Sequence, residues 1–144
     1  MSFVLDSSVA LSWCFEDERT DAGDEALRRV ATSGAVAPVL WPLEVLNGLA
    51  MAERRHRLDS ATRQSFAGFL RDLPVTIDPE APALAWDVIA ELAARFHLTV
   101  YDAAYLELAR RLTMPLATLD QDLRIAANQL GVPLLGMSGD VFSD

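Results

Sequence analysis

Short apolar runs alternate along the chain with longer segments of mixed polarity. Three runs are brief and bounded by acids, glycine or proline, as is typical of strands that are buried on both faces of a sheet. They occupy residues 3–5, 115–119 and 132–135, and weaker candidates lie at residues 35–37 and 75–77. Because such strands belong to parallel sheets covered by helices, the runs predict a buried parallel sheet.

Between the runs, apolar residues recur at three- and four-residue spacing, which predicts amphipathic helices. The clearest segment follows Asp78 and Pro79, an expected N-cap and an expected first-turn proline. Its apolar positions extend from Ala81 to Leu92. Other helices are predicted at residues 7–16, 20–32, 42–55, 60–73, 100–112 and 121–130. Strands that alternate with helices predict an α/β fold of three layers, with a central parallel sheet of about four to five strands flanked by helices.

The composition supports a compact domain and argues against several cellular settings. The 144 residues are 51% hydrophobic, so we expect one domain over residues 1–144 that buries a core and carries a short polar tail from about residue 138. No apolar stretch approaches a membrane span, and the first residues lack the basic region of a signal peptide. The single cysteine forms no internal disulfide and fits a reducing compartment, so we expect a cytoplasmic protein.

The charged residues are mostly acidic. There are 21 aspartates and glutamates, 12 arginines and no lysine, which gives a formal net charge of -9. Without lysine the chain has neither a Walker A phosphate loop nor a Schiff-base amine. The negative charge also argues against a protein that coats nucleic acid nonspecifically, although a bound metal would still let it meet a phosphate.

Four acids occupy positions that share one edge of the predicted sheet. Asp6 and Asp120 directly follow apolar runs, whereas Glu44 and Asp102 lie in the first turns of predicted helices. Because the carboxyl ends of parallel strands meet at one edge, where ligands bind, the four side chains are expected to converge. Each acid also has a structural alternative. Asp6 and Asp120 are candidate N-caps, Glu44 complements the positive end of its helix, and Asp102 completes a capping box with Thr99.

Neighbouring residues favour a functional cluster over four separate caps. Three polar side chains are placed to support the acids, and they are Ser8, Asn47 and Thr118. Asp102 lies on a segment that we expect to be largely buried, where an unpaired carboxylate is costly without a compensating cation. Oxygen ligands select Mg²⁺ or Mn²⁺, whereas zinc would require cysteine or histidine at a ligand spacing that this sequence lacks. The residues therefore indicate metal-assisted hydrolysis of a phosphodiester.

Four segments, taken together, resemble the PIN-domain ribonucleases, and specifically the VapC-type toxins of bacterial toxin–antitoxin pairs. They are VLDSS at residues 4–8, PLEVLNGL at 42–49, TVYDAAY at 99–105 and LATLDQDL at 116–123. The resemblance extends from residue 3 to about residue 135. It implies a three-layer PIN-like fold with a parallel central sheet.

The resemblance also implies a catalytic set of Asp6, Glu44, Asp102 and Asp120. Of these, Asp6, Asp102 and Asp120 would bind Mg²⁺ or Mn²⁺, as one ion or two, and activate water to cleave RNA. Asp122 is expected to have a supporting role. The partners implied are an RNA substrate, a cognate antitoxin that blocks the acidic pocket, and a second copy in a homodimer, with no membrane contact.

Two other function classes stay open beside this one. The first is a non-cleaving PIN-like module that binds RNA or a partner protein in regulation. The intact set of uncompensated acids argues against it. The second is a phosphatase or phosphotransferase on an α/β fold. Such enzymes place a lysine beside the phosphoryl group, which this sequence lacks, and those of the haloacid-dehalogenase type have a second aspartate where this sequence has Ser8.

Two groups of arginines end predicted helices. They are Arg54, Arg55 and Arg57 in one group, and Arg110 and Arg111 in the other. Cations at these positions complement the negative end of a helix, which is the structural interpretation. The functional alternative is a set of phosphate contacts around the acidic pocket.

Overall fold

The computed structural model describes residues 2–136, so the polar tail expected from about residue 138 lies outside the described part. These residues form a four-stranded parallel sheet in the order β3-β2-β1-β4, flanked by helices, which confirms the predicted α/β fold. The strands are β1 (Val4–Leu5), β2 (Ala35–Pro38), β3 (Val75–Asp78) and β4 (Leu116–Ala117). The run at 132–135 contributes only an isolated bridge between Leu134 and Leu116.

The helices lie close to the segments that the apolar spacing predicts. They are α1 (Ser7–Ser12), α2 (Asp21–Ser33), α3 (Trp41–Arg54), α4 (Ser60–Arg71), α5 (Ala81–Leu84), α6 (Ala90–Phe96), α7 (Val100–Leu112) and α8 (Gln121–Leu130). Helix α1 ends earlier than expected and is followed by a 3₁₀ turn at Glu16–Glu18. A π turn at Ala85–Ile89 connects α5 to α6. Within residues 2–136, no helix has the length and apolar character needed to cross a bilayer.

The expected cap at Asp78 is wrong. Asp78 is the last residue of β3, and its carboxylate accepts hydrogen bonds from the Glu80 N–H and from the Arg111 guanidinium. These contacts hold the side chain at the strand end, and α5 begins later, at Ala81. Its first-turn proline is therefore Pro82 rather than Pro79.

Strand β1 runs through the centre of the sheet. Val4 pairs with Val36 of β2 on one side and with Leu116 of β4 on the other. Strand β1 is fully buried, as sequence patterning predicts for a central parallel strand. Because β1 and β4 are parallel neighbours in register, the residues that follow them, from Asp6 and from Thr118, emerge side by side at the same edge of the sheet.

Gly48 allows α3 to approach α1 closely. A Cβ atom at this position would lie 2.5 Å from Leu11 Cδ1 of α1. Helix α1 follows Asp6 directly, and α3 carries Glu44 in its first turn. The close approach therefore helps to set the separation of the two helices that carry acids to the sheet edge.

We expect Gly48→Ala to be less stable than Gly68→Ala by at least about 1 kcal/mol. Both substitutions gain helix propensity, worth about 0.5–1 kcal/mol, but only the first would press on α1. At Gly68, the nearest atom to an added Cβ, Arg71 Nη2, lies 4.0 Å away. Urea unfolding of the two variants measures the difference. Equal stabilities would show that the Leu11 side chain turns aside at no cost.

Candidate active site

The four predicted acids lie at the carboxyl edge of the sheet. Asp6 follows β1, Asp120 precedes α8, and the other two, Glu44 and Asp102, lie in the first turns of α3 and α7. Their charges interact: Glu44 and Asp120 raise the pKa of Asp6, and Asp102 raises the pKa of Glu44. The structure thus gathers side chains that are separated by up to 114 positions along the sequence.

Asp6 is held by two hydroxyl groups and keeps one oxygen free. Its side chain is 3% exposed, and Oδ2 accepts hydrogen bonds from Ser8 Oγ at 2.6 Å and Thr118 Oγ1 at 2.7 Å. Oδ1 accepts no hydrogen bond from residues 2–136. Asp6 is the N-cap residue of α1, as the capping alternative expects, but its carboxylate accepts no hydrogen bond from the first turn of the helix. Burial raises the pKa of this carboxyl, and its two hydroxyl donors oppose that rise.

The two supporting hydroxyls have their protons directed at Asp6. Ser8 Oγ accepts a hydrogen bond from the Leu119 N–H at 3.0 Å, and Thr118 Oγ1 accepts one from the Asp120 N–H, also at 3.0 Å. Because each oxygen is occupied as an acceptor by a backbone donor, its own proton is free to bond the carboxylate. The structure therefore brings Ser8 and Thr118 into the cluster, where the sequence placed them.

Glu44 is held by Tyr105 and Ser7, two residues to which the sequence patterns assigned no role in the site. Tyr105 Oη donates to Glu44 Oε1 at 2.6 Å, and Ser7 Oγ donates to the same oxygen at 3.4 Å. Burial raises the pKa of Glu44, and the Tyr105 hydrogen bond opposes this shift. The signal for Tyr105 was its position three residues after Asp102, on the same side of α7. Asn47, the expected partner of Glu44, is exposed and forms no hydrogen bond with it.

Burial and like charges act together on the carboxyl group of Asp102. Burial raises its pKa to about 6, and the charges of Asp120, Asp6 and Asp122 add to the effect. The Thr99 hydroxyl caps α7 by accepting from the Asp102 N–H at 3.1 Å, which is the first half of the expected capping box. The side chain of Asp102 is therefore positioned by its helix start, and it lies among like charges.

The segment around Asp102 is less buried than its sequence suggested. Tyr101 is 63% exposed and Val100 is half exposed, whereas the residues from Ala103 to Ala109 are buried. The first turn of α7 projects from the sheet edge, so only the later turns pack into the core. The expectation of a largely buried segment is wrong for these two residues.

Asp120 both caps a helix and faces the cluster. Its Oδ1 accepts the Leu123 N–H at 2.9 Å, which confirms the capping alternative, and its charge still raises the pKa of Asp6 and Asp102. Asp122, in the first turn of α8, is exposed and acts on Asp102 only through its charge.

Within residues 2–136, none of the four acids forms an ion pair with an arginine. Arg124 is buried and lies four residues after Asp120 in the sequence, but its guanidinium donates to the Thr118 carbonyl at 2.9 Å. Of the helix-end arginines, Arg57 pairs with Asp17 and Glu18, and Arg111 with Asp78 and Glu107. The helix-end interpretation is confirmed for Arg54 of α3 and for Arg110 and Arg111 of α7, which lie in last turns. Arg57 lies beyond the end of α3. Arg54, Arg55 and Arg110 have no carboxylate partner in this part of the chain.

The donor set fits a hard divalent cation. Carboxylate oxygens are the ligands that Mg²⁺ and Mn²⁺ prefer. Asp6 and Glu44 each have an oxygen that accepts no hydrogen bond from residues 2–136, and no arginine in that range neutralises them, so a metal would balance their charge. Among residues 2–136, no three acidic, histidine or cysteine side chains form a ready set of ligands around one point. Binding an ion would therefore require these side chains to rotate toward one another.

Comparison with known proteins identifies the family of the chain and several solved structures that share its fold. The model of the PIN domain family matches residues 3–129. No curated protein matches the chain. FitAcB from Neisseria gonorrhoeae aligns with a TM-score of 0.65 at 15% identity, over 94% of this chain and 97% of that one.

Two further solved structures are similar. VapBC2 from Rickettsia felis, bound to a DNA fragment from their promoter, aligns with a TM-score of 0.61 at 14% identity, over 93% of this chain and 97% of that one. A toxin–antitoxin complex from Klebsiella pneumoniae aligns with a TM-score of 0.55 at 16% identity, over 83% of this chain and 88% of that one. At these identities, the likeness shows a shared fold.

Proposed function

Since the chain belongs to the PIN domain family, we propose that it is a metal-dependent endoribonuclease and the toxin of a toxin–antitoxin pair. The observation that carries this proposal is the cluster of four carboxylates at the sheet edge, which has no arginine partner within residues 2–136. Two of its members, Asp6 and Glu44, are each held on one oxygen by hydroxyl donors. A structural role alone would not require this arrangement.

The residues divide into ligands and a proton acceptor. Asp6, Asp102 and Asp120 would hold Mg²⁺ or Mn²⁺, which supplies a water of lowered pKa and neutralises charge on the phosphate. Glu44 has a raised pKa, and its Oε2 accepts no hydrogen bond from residues 2–136, so we assign to Glu44 the acceptance of the proton from the attacking water. Ser8, Thr118 and Tyr105 orient these carboxylates, and Asp122 adds only charge.

The same charges make RNA binding depend on metal. The protein has a net charge of -9, and its site is lined by acids, so phosphates are repelled from the empty cluster. Two divalent ions would cancel the four carboxylate charges. We therefore expect chelation to weaken RNA binding as well as to stop cleavage.

The proposal assigns the partners to the acid cluster and to apolar surfaces that include residues of α3. An arginine of the antitoxin would form a bidentate pair with these acids and block the pocket. A groove of about 530 Å³ between α3, α4 and β3 is lined mainly by apolar side chains, among them Val45, Leu46 and Ile77. Leu43 is 72% exposed beside Glu44, and exposed apolar side chains of this kind support the homodimer. The proposal places the protein in the cytoplasm, where its RNA substrates are made.

The proposal is tested by incubating purified protein with single-stranded RNA in Mg²⁺ or Mn²⁺, with chelator in a parallel reaction. We expect cleavage that requires the metal. RNA binding without cleavage in either metal would favour the regulatory module instead. Turnover of small phosphate esters with no action on RNA would favour the phosphatase.

We expect Tyr105→Phe to lower cleavage at pH 7 by about tenfold and to move the acidic limb of the pH profile to higher pH. The hydroxyl that lowers the pKa of Glu44 would be lost, so this carboxyl would ionise only at higher pH. A pH–rate profile measures both effects. Tyr101→Phe is the matched control, since the Tyr101 hydroxyl has no partner within residues 2–136. An unshifted limb in Tyr105→Phe would remove Glu44 from the role of proton acceptor.

A further inference from the structure

Tyr101 is an exposed aromatic residue beside the acid cluster. Its side chain is 63% exposed and directly precedes Asp102 in the first turn of α7. Its hydroxyl forms no hydrogen bond with residues 2–136, and none of the cation–π contacts in this part of the chain involves its ring. No hydrogen bond or cation–π contact from residues 2–136 therefore holds this side chain, and most of it faces solvent.

Helix geometry places the ring of Tyr101 at the rim of the cluster. Tyr101 and Tyr105 are four residues apart on α7, so they share one helix face with their Cβ atoms about 6 Å apart. Tyr105 on this face reaches Glu44 of α3. Tyr101 lies one turn nearer the start of the helix, and helical side chains lean toward that end. Its ring therefore extends outward from the Glu44 side of the site, next to Asp102.

Charge determines what this ring can contribute to RNA binding. The cluster offers a nucleic acid only repulsion or contact through metal, and both act on the phosphates. A neutral ring acts on the bases, because every base has a face that stacks on an aromatic side chain. Stacking also requires an unpaired base, since a base in a duplex is covered by its neighbours.

We propose that Tyr101 forms a stacking subsite for an unpaired nucleobase of the RNA whose phosphate lies at the acid cluster. This inference rests on the proposed function. The subsite gives the enzyme a preference for single-stranded RNA, and it supplies affinity that the acidic surface lacks.

The steady-state test compares Tyr101→Ala with Tyr101→Phe on a single-stranded RNA. We expect Tyr101→Ala to raise KM by about tenfold with kcat changed less than threefold, and Tyr101→Phe to match the wild type because the ring is kept. Trp86→Ala is the control for loss of an exposed aromatic, since Trp86 is 91% exposed in the π turn, more than two helical turns before the loop that leads into α7. Equal KM values for Tyr101→Ala and the wild type would overturn the subsite.

A binding test separates this inference from the proposed function. A series of oligonucleotides, each with the fluorescent base 2-aminopurine at a different position, is mixed with the protein in Ca²⁺. Stacking is detected as quenching of the 2-aminopurine fluorescence. We expect the wild type and Tyr101→Phe to quench the fluorescence of 2-aminopurine at one position of the single strand. Tyr101→Ala should not quench it, and no protein should quench it in a duplex. Such quenching without cleavage in Mg²⁺ would support the subsite and refute the proposed nuclease activity. Cleavage with quenching that Tyr101→Ala retains, or no binding of the oligonucleotide in Ca²⁺, would overturn the subsite.

Discussion

Asp102→Asn is expected to lower metal-dependent RNA cleavage by at least about 100-fold. The substitution keeps the size of the side chain and the backbone N–H that Thr99 caps, so the start of α7 is preserved. It removes one of the proposed metal ligands from the centre of the interacting charges, where Asp6, Asp120 and Asp122 all act on it. Cleavage of a labelled RNA in saturating Mg²⁺, by proteins purified identically, measures the loss.

Asp122→Asn is the matched control for this prediction. Asp122 lies in the first turn of α8, as Asp102 lies in the first turn of α7, but its side chain is exposed. We expect cleavage by Asp122→Asn to stay within about threefold of the wild type, because only a screened charge is lost. If both variants cleaved as the wild type does, the activity would come from another protein in the preparation or from residues outside the acid cluster.

The sequence was sufficient to predict the sheet and the acids at its edge. Strands such as β1 are short, wholly apolar and followed by an acid, and parallel topology then places Asp6 and Asp120 together without knowledge of any side-chain contact. The first-turn positions of Glu44 and Asp102 predicted the same edge for these two acids, and the resemblance to PIN-domain ribonucleases supplied the catalytic role of all four. Local pattern and topology, in other words, determine which residues meet.

Contacts between distant side chains could not be predicted in the same way. The hydrogen bond from Tyr105 to Glu44 joins residues 61 positions apart and depends on how α3 and α7 pack. Asp78 shows the converse error: its dipeptide with Pro79 is typical of a helix start, but pairing with Arg111 holds it in the strand. At Asp78 a tertiary contact outweighed local preference, whereas at Tyr105 the contact depends on helix packing that local sequence does not specify.

Without metal, repulsion among the carboxylates is expected to destabilise the folded protein. Asp102→Asn in chelator at pH 7.5 should therefore unfold at a temperature about 4 °C above that of the wild type. The rise in the pKa of Asp102 from its ordinary 3.8 to about 6 corresponds to about 3 kcal/mol. Solvent screens this half-buried group, which reduces the expected gain to about 1 kcal/mol. Differential scanning fluorimetry in chelator measures the difference.

The pH dependence of the same measurement has a defined sign. A carboxyl whose pKa is higher in the folded than in the unfolded protein binds its proton more tightly when folded, so stability rises as the pH falls through about 6. The wild type in chelator should therefore gain stability between pH 7.5 and 5.5, and Asp102→Asn should gain less. Added Mg²⁺ at pH 7.5 should stabilise the wild type more than the variant, because the ion supplies the compensation that the substitution makes unnecessary.

Asp122→Asn separates relief of repulsion from loss of a helix charge. Both acids lie in first turns, where a negative side chain favours the helix by about 0.3–1 kcal/mol, so both substitutions lose that contribution. Asp102 also has burial and three like charges that raise its pKa. We therefore expect Asp102→Asn to be more stable and Asp122→Asn to be equal to or less stable than the wild type. If Asp102→Asn in chelator were no more stable than Asp122→Asn, the four carboxylates would not be repelling one another in the folded protein and would need no cation to compensate them.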